Sequence, residues 1–153
     1  MADIVSQFVA VLLDDQRYAV PLEAVQRVVH AVAITPLPSA PDVILGVVNF
    51  QGQIIPVVNV RRRFRLPERD IVLGDRIVIA RTSRRSVALV VDAVDGIVDY
   101  APQDIVMPET IVPKLEYIAG VLRLDDGMIL VHDLDSFLSL DELESLNKAM
   151  EHV

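Results

Sequence analysis

The sequence has no cysteine and no tryptophan. Without thiols there is no disulfide framework, no thiolate metal site and no cysteine nucleophile, and the expected compartment is the cytosol. Aromatic residues make up only 5%, too few for the stacking platforms that usually hold single-stranded nucleic acid. Lys and Arg number 14 against 22 Asp and Glu, a net charge of −8, which repels a phosphate backbone. No nucleic-acid partner is expected, despite Arg61, Arg62, Arg63 and Arg65. Long apolar runs are missing too. The longest candidate, residues 31–50, is broken by Pro36, Pro38, Pro41 and Asp42, short of the ~18 uninterrupted residues a membrane span needs. The first residues carry no Lys or Arg before Asp14, so they do not read as a secretory signal. A soluble, cytoplasmic protein with no direct membrane insertion is expected.

What is present points to strands. Of 153 residues, 52% are hydrophobic, and Val and Ile contribute 26 and 13. Stiff β-branched side chains pack well on a pleated surface. The length suits one domain or two small lobes. Charge is uneven along the chain. Residues 61–85 hold nine Arg against Glu68, Asp70 and Asp75, whereas residues from Asp92 onward are net −11. Each patch reads as solvated surface or as a docking face for a partner of opposite charge.

The chain also repeats itself, which is the first thing to look for. With an offset of 69, Ala19 falls on Ala88, Glu23 on Asp92, Ala24 on Ala93, Val25 on Val94, and Val28-Val29 on Ile97-Val98. With an offset of 74, Gly46 falls on Gly120, Val47 on Val121, Ile55 on Ile129, Val57 on Val131 and Asn59 on Asp133. Each copy reads as five short strands. They lie at 8–13, 17–20, 25–33, 46–50 and 53–58 in the first copy. In the second they lie at 77–80, 86–91, 94–100, 118–124 and 128–131. Polar turns and Pro-punctuated loops at 35–42 and 101–109 separate them. Glu23 and Asp92 are expected to cap the link into the third strand of each copy. Helical turns are expected at 59–64 and 133–138, and a C-terminal helix from Ser139, whose Glu142 stands three residues on in a capping-box arrangement.

The fold class that follows is mainly β. It has two five-stranded barrels, short helical turns and a C-terminal helix, divided into lobes of about 7–74 and 75–140, with residues 141–153 as helix and tail. Within it no chemistry assembles. G-x-S-x-G, H-E-x-x-H and G-x-x-x-x-G-K-[ST] are absent. His30, His132 and His152 are far apart, and the first two sit in apolar strands, where histidine is usually structural. Asp133, Asp135 and Glu144 match three positions of a calcium loop, but Phe137 and Leu138 stand where an oxygen ligand and a glycine are required. No metal, cofactor or catalytic group is expected.

The stretches Y-A-V-P-L-E-A-V-Q-R-V-V from Tyr18 and G-V-V-N-F-Q-G-Q-I-I-P-V-V-N-V-R-R-R-F from Gly46 resemble the CheW family of chemotaxis coupling proteins. So does V-V-D-A-V-D-G-I from Val90, and the resemblance covers roughly residues 7–140. It implies two SH3-like barrels related by a pseudo-twofold, acting as a non-enzymatic adaptor. The implied partners are the cytoplasmic tip of a chemoreceptor and the regulatory domain of a CheA-type histidine kinase, in membrane-associated receptor arrays. The residues implied for partner binding are Val25, Arg27, Val28, Gly46, Val47, Asn49, Gln51, Gly52, Val94 and Gly96. Two of them depart from the family's usual pattern. Gln51 stands where relatives usually carry Arg, and Arg27 where many carry an acidic residue. The implied partner is therefore one with an acidic residue opposite Arg27. The competing reading is a small-molecule sensor built on a barrel pocket, which would need convergent polar groups among apolar walls.

Overall fold

A computed structural model describes residues 5–107 and 116–151. Pro108 and Glu109 of the second Pro-punctuated loop, and His152 of the tail, lie outside the described residues. The first copy of the repeat supplies β1 (Ser6–Leu13), β2 (Gln16–Pro21), β3 (Val25–His30), β4 (Ile44–Phe50) and β5 (Gln53–Val58). The second supplies β6 (Arg76–Arg81), β7 (Ser86–Val91), β8 (Ala93–Tyr100), β9 (Ile118–Leu124) and β10 (Gly127–His132). Helix α1 (Val60–Arg63) follows β5, a 3-10 turn at Leu134–Ser136 follows β10, and α2 (Leu140–Met150) follows that turn.

The strands form two five-stranded sheets, ordered β8-β1-β2-β10-β9 and β3-β6-β7-β5-β4. Each sheet therefore draws strands from both copies. The expected lobes at 7–74 and 75–140 do not correspond to the sheets, because the leading hairpin of each copy joins the other copy's sheet. Two short parallel pairings make the exchange: Tyr18 and Ala19 lie beside Leu130 and Val131, and Val57 and Val58 beside Ala88 and Leu89. The repeat matches Ala19 to Ala88 and Val57 to Val131, so the two seams are equivalent.

Each sheet curls until the chain leaving one edge strand meets the other edge. β3 ends at His30, short of the expected residue 33, and the chain then runs on to Thr35, which bridges Val47 on β4. The counterpart is Val106 bridging Val121 on β9. This closure explains both matched glycines. A Cβ on Gly46, at φ +154°, would sit 2.2 Å from the Thr35 carbonyl oxygen, and one on Gly120 would sit 2.6 Å from the Ile105 methyl. At Gly46 the obstacle is backbone and no side chain fits, whereas at Gly120 a side chain would have to displace Ile105.

Alternation along the strands sorts the core into three parts. One bore is filled by Val48, Ile55, Val57, Ile77, Ile79 and Ala88, and the other by Phe8, Ala19, Leu122, Ile129 and Val131. A larger cluster lies between the sheets, including Val11, Leu13, Val78, Leu89, Phe137 and Leu146. At roughly 1.5–3 kcal/mol for each fully buried aliphatic side chain, this shared cluster is the main bond between the two barrels. Helix α2 covers it with Leu143, Leu146 and Ala149.

The capping box at the start of α2 is present as expected. Ser139 Oγ accepts from the Glu142 backbone N–H at 3.1 Å, and Glu142 Oε1 accepts from the Ser139 N–H at 2.8 Å. Ser139→Ala is expected to lower the unfolding free energy by about 1 kcal/mol in urea titration. No measurable change would mean that the buried face of α2 sets its stability unaided.

Candidate protein-interaction surface

β3 is an edge strand with one sheet partner, β6, and most of its side chains face solvent. Val28 is 39% exposed, and its repeat counterpart on edge strand β8, Ile97, is 58% exposed. Edge strands expose unpaired backbone as well as side chains, which makes them ready docking elements. Val25 and Val94, also counterparts, are half buried and pack onto the inter-sheet cluster from opposite sheets. Gly96 is exposed beside Ile97 at φ +101°.

The turn between β4 and β5 is a two-residue hairpin loop, with Gln51 at φ 52° and Gly52 at φ 83°. Positive φ at both central residues matches the right-handed twist of the flanking strands. Asn49 Oδ1 accepts from the Gly52 N–H at 3.0 Å and fixes the loop, which leaves Gln51 exposed at its tip. The Arg27 guanidinium lies over the Phe50 ring at 5.3 Å from its centroid, a cation–π contact. That contact brings β3 alongside the 49–52 turn, so Arg27, Val28, Asn49, Gln51 and Gly52 share one surface. Gly46 and Val47 do not share it. Both are buried in the closure against Thr35, and the Val47 side chain is not on offer to a partner.

The Arg-rich segment is solvated only in part: Arg62, Arg65, Arg81 and Arg84 are exposed, whereas Arg61, Arg63 and Arg69 are tied into ion pairs. Arg61, with a side chain 10% exposed, donates to Asp92 at 2.8 and 2.9 Å and to the Pro67 carbonyl at 2.9 Å, and pairs with Asp14 at 2.9 Å. Arg69 bonds Asp75 at 2.7 and 2.9 Å and Asp92 at 2.7 Å. Arg63 bonds Glu142 at 2.7 Å and the Tyr117 hydroxyl at 2.9 Å, tying α1 to α2. Burial pushes the Asp92 carboxyl up, but its bonds from Arg61 and the Asp14 N–H outweigh this and hold it below the usual carboxylate range. Arg69 holds Asp75 low in the same way, against the effect of burial.

Asp92 is thus an ion-pair hub between the β1–β2 turn, α1 and the 66–75 loop. Its expected equivalence to Glu23 fails, since Glu23 is exposed and makes no hydrogen bond or ion pair among the described residues. The reason is the partner position: Arg61 in the first copy is matched by Asp135 in the second, which accepts from the Ser83 N–H at 2.8 Å instead. Sequence reasoning also passed over Ile97, although the repeat register already placed it opposite Val28.

Filled bores, loops held rigid by ion pairs, and exposed edge strands at matched positions define a scaffold-type docking module. The CheW-like domain model matches residues 7–142, and the chain belongs to that family. It is 30% identical over 141 residues to the chemotaxis protein CheW of Rhizobium meliloti (strain 1021), covering 91% of each chain. It is 27% identical over 146 residues to the CheW of Treponema pallidum (strain Nichols), covering 92% of this chain and 86% of the relative. Its structure is similar to that of the scaffolding protein TtCheW from Thermoanaerobacter tengcongensis, with a TM-score of 0.82, 27% identity, and coverage of 91% of this chain and 96% of the other. The protein is an adaptor of chemotaxis signalling. The sensor reading is set aside: the side chains that would have to line a ligand pocket fill the bores instead.

Proposed function

We propose that this chain couples the cytoplasmic tip of a chemoreceptor to the regulatory domain of a CheA-type histidine kinase, without catalysing a reaction itself. The observation that carries the reading is the pair Val28 and Ile97, apolar and exposed at repeat-equivalent positions on edge strands of two different sheets. An adaptor needs surfaces that can be held at once on a rigid frame, and the inter-sheet cluster supplies the frame. No helix among the described residues is long and apolar enough to cross a membrane, so recruitment to a membrane-associated array would come through the receptor. Residues 7–140 with α2 act as one docking body in this reading.

Partner choice rests on Arg27 and Gln51. Relatives usually place an acidic and a basic residue on this surface, and like-charge juxtaposition across an interface can cost several kcal/mol. The double change Arg27→Glu with Gln51→Arg is expected to weaken capture of the chain's own receptor fragment. It should also improve capture of a receptor served by a relative with the usual pair, with kinase binding unchanged. Equal binding of both receptors by variant and wild type would remove these positions from partner choice. Failure of the wild type to bind any receptor or kinase fragment would remove the coupling role itself.

A further inference from the structure

A groove of about 1020 Å³ opens beyond the end of β3, between residues 31–34 and the 66–75 loop, with Leu45 of β4 on its wall. Leu73 is 90% exposed, Val72 53%, Val32 52% and Leu45 38%. Four of the ten large hydrophobic side chains exposed among the described residues therefore line one groove, a concentration that marks interaction sites rather than ordinary surface. The loop wall is fixed. Arg61 donates to the Pro67 carbonyl at 2.9 Å, Arg69 to the Asp75 carboxylate at 2.7 Å, and the Val72 N–H to Asp75 at 3.0 Å.

The backbone of the other wall says what form the occupant takes. Residues 31–34 run without a turn or bend from β3 to the bridge at Thr35. At one end the Ala31 N–H donates to the Asp75 carbonyl at 3.1 Å, and at the other the Thr35 N–H donates to the Val47 carbonyl at 2.9 Å. Between them, the backbone N–H and C=O groups of Val32, Ala33 and Ile34 make no hydrogen bond among the described residues. The reason is that β6 begins at Arg76, opposite His30, so the chain has outrun its sheet neighbour. A row of open backbone groups is satisfied by another backbone running alongside. A helix pairs its own N–H and C=O groups and would leave the row open, whereas an extended segment can pair with it. Charge says which segment. The lining carries Arg61 and Arg69 against Glu68, Asp70, Asp75 and Asp92. Both arginines are engaged by Asp75 and Asp92, while the exposed Asp70 carboxylate has no partner among the described residues. A cation is favoured there.

We propose that the groove docks an extended, cationic segment of a partner protein by strand addition. The segment's backbone pairs with residues 32–34, its apolar side chains lie on Val72 and Leu73, and a Lys or Arg faces Asp70. Arg27, Val28 and Gln51 do not line this groove, so its occupant is additional to the partner of the edge-strand surface. The test is titration of the full chain with a capped synthetic peptide of alternating valine and lysine, read by amide chemical shifts and amide hydrogen exchange. Shifts are expected at residues 31–34 and 71–73, with slowed exchange within residues 32–34. The same peptide N-methylated throughout keeps charge and side chains but cannot donate backbone hydrogen bonds, and should not bind. Leu73→Ser and Asp70→Lys should each weaken binding about tenfold, and Asp125→Lys, on the distant β9–β10 turn, should leave it unchanged. All three side chains are exposed, and unchanged melting of each variant shows that the fold is intact. Binding of the N-methylated peptide, an equal loss with Asp125→Lys, or no change at residues 31–34 overturns the proposal. So does self-association of the wild type that Leu73→Ser abolishes, which would make the occupant a second copy of this chain.

Discussion

Arg61→Met is expected to lower the unfolding free energy by about 3 kcal/mol at neutral pH, several times the cost of losing an exposed ion pair. Arg61 is nearly enclosed, and its guanidinium serves Asp14, Asp92 and the Pro67 carbonyl at once. Methionine keeps the length and the apolar stem but strands the carboxylates. Asp92 retains Arg69, so the loss falls at the lower end of the range for a broken buried pair. Adding Asp92→Asn removes much of the stranded charge, and the double variant should be less damaged than the two single losses predict when added. Urea unfolding of the four proteins measures this. A loss below about 1 kcal/mol for Arg61→Met would place the network with ordinary surface pairs.

The second large effect is on acid stability. His132 is 1% exposed and packed by Tyr18, Phe64 and Phe137, each with its ring centroid 5.0 Å away. Neither ring nitrogen has a hydrogen-bond partner among the described residues. Burial pushes its pKa down from 6.5 to about 3. The folded state keeps the ring neutral while the unfolded chain takes up a proton, so stability falls as pH drops below 6.5 and continues to fall until about 3. The slope approaches about 1.4 kcal/mol per pH unit, or roughly 3 kcal/mol lost by about pH 4. His132→Phe should flatten this limb and melt no lower than the wild type at neutral pH, since two unpaired nitrogens leave the core. Carboxylates held low by their arginines, such as Asp75 and Asp92, lose their contribution only at more acid pH, below the unfolded value near 3.8. Parallel melting curves for wild type and variant between about pH 6.5 and pH 4 would contradict the assignment.

Much of the architecture could be read from the amino acids, and the rest could not for definable reasons. The strands, the α2 capping box and the Gln51-Gly52 turn are local, and local sequence determines them. The matched glycines marked the repeat, but only the approach of Thr35 to Gly46 explains why no side chain is tolerated there. Strand exchange was not legible. A repeat states that two hairpins are equivalent, and their apolar patterns fit either sheet, so nothing local says which one each joins. The charge patch was legible only in part, because counting arginines ignores where they point. Arg62, Arg65, Arg81 and Arg84 are solvated, but Arg61 and Arg63 turn inward to Asp92 and Glu142, which are distant in sequence. Of the residues the resemblance implies for partner binding, the Arg27–Phe50 contact places Arg27 and Val28 beside Asn49, Gln51 and Gly52, Val94 and Gly96 lie on the other sheet, and Gly46 and Val47 are buried.

The exchanged hairpins also govern how the chain comes into being. β1 and β2 are made first, yet their sheet needs β8, β9 and β10, the last of which ends at His132. β3, β4 and β5 likewise wait for β6 and β7. A nascent chain carrying only the first copy holds five strands and no finished barrel, with its edges open. Closing contacts that span most of the sequence is slow, because the loop entropy is lost before the contacts form. Once closed, the two barrels share no strand, but the chain crosses between them after β2 and after β7 and they share one buried cluster, so their stabilities are coupled. A load on either exposed edge strand is then passed to the other barrel through that cluster.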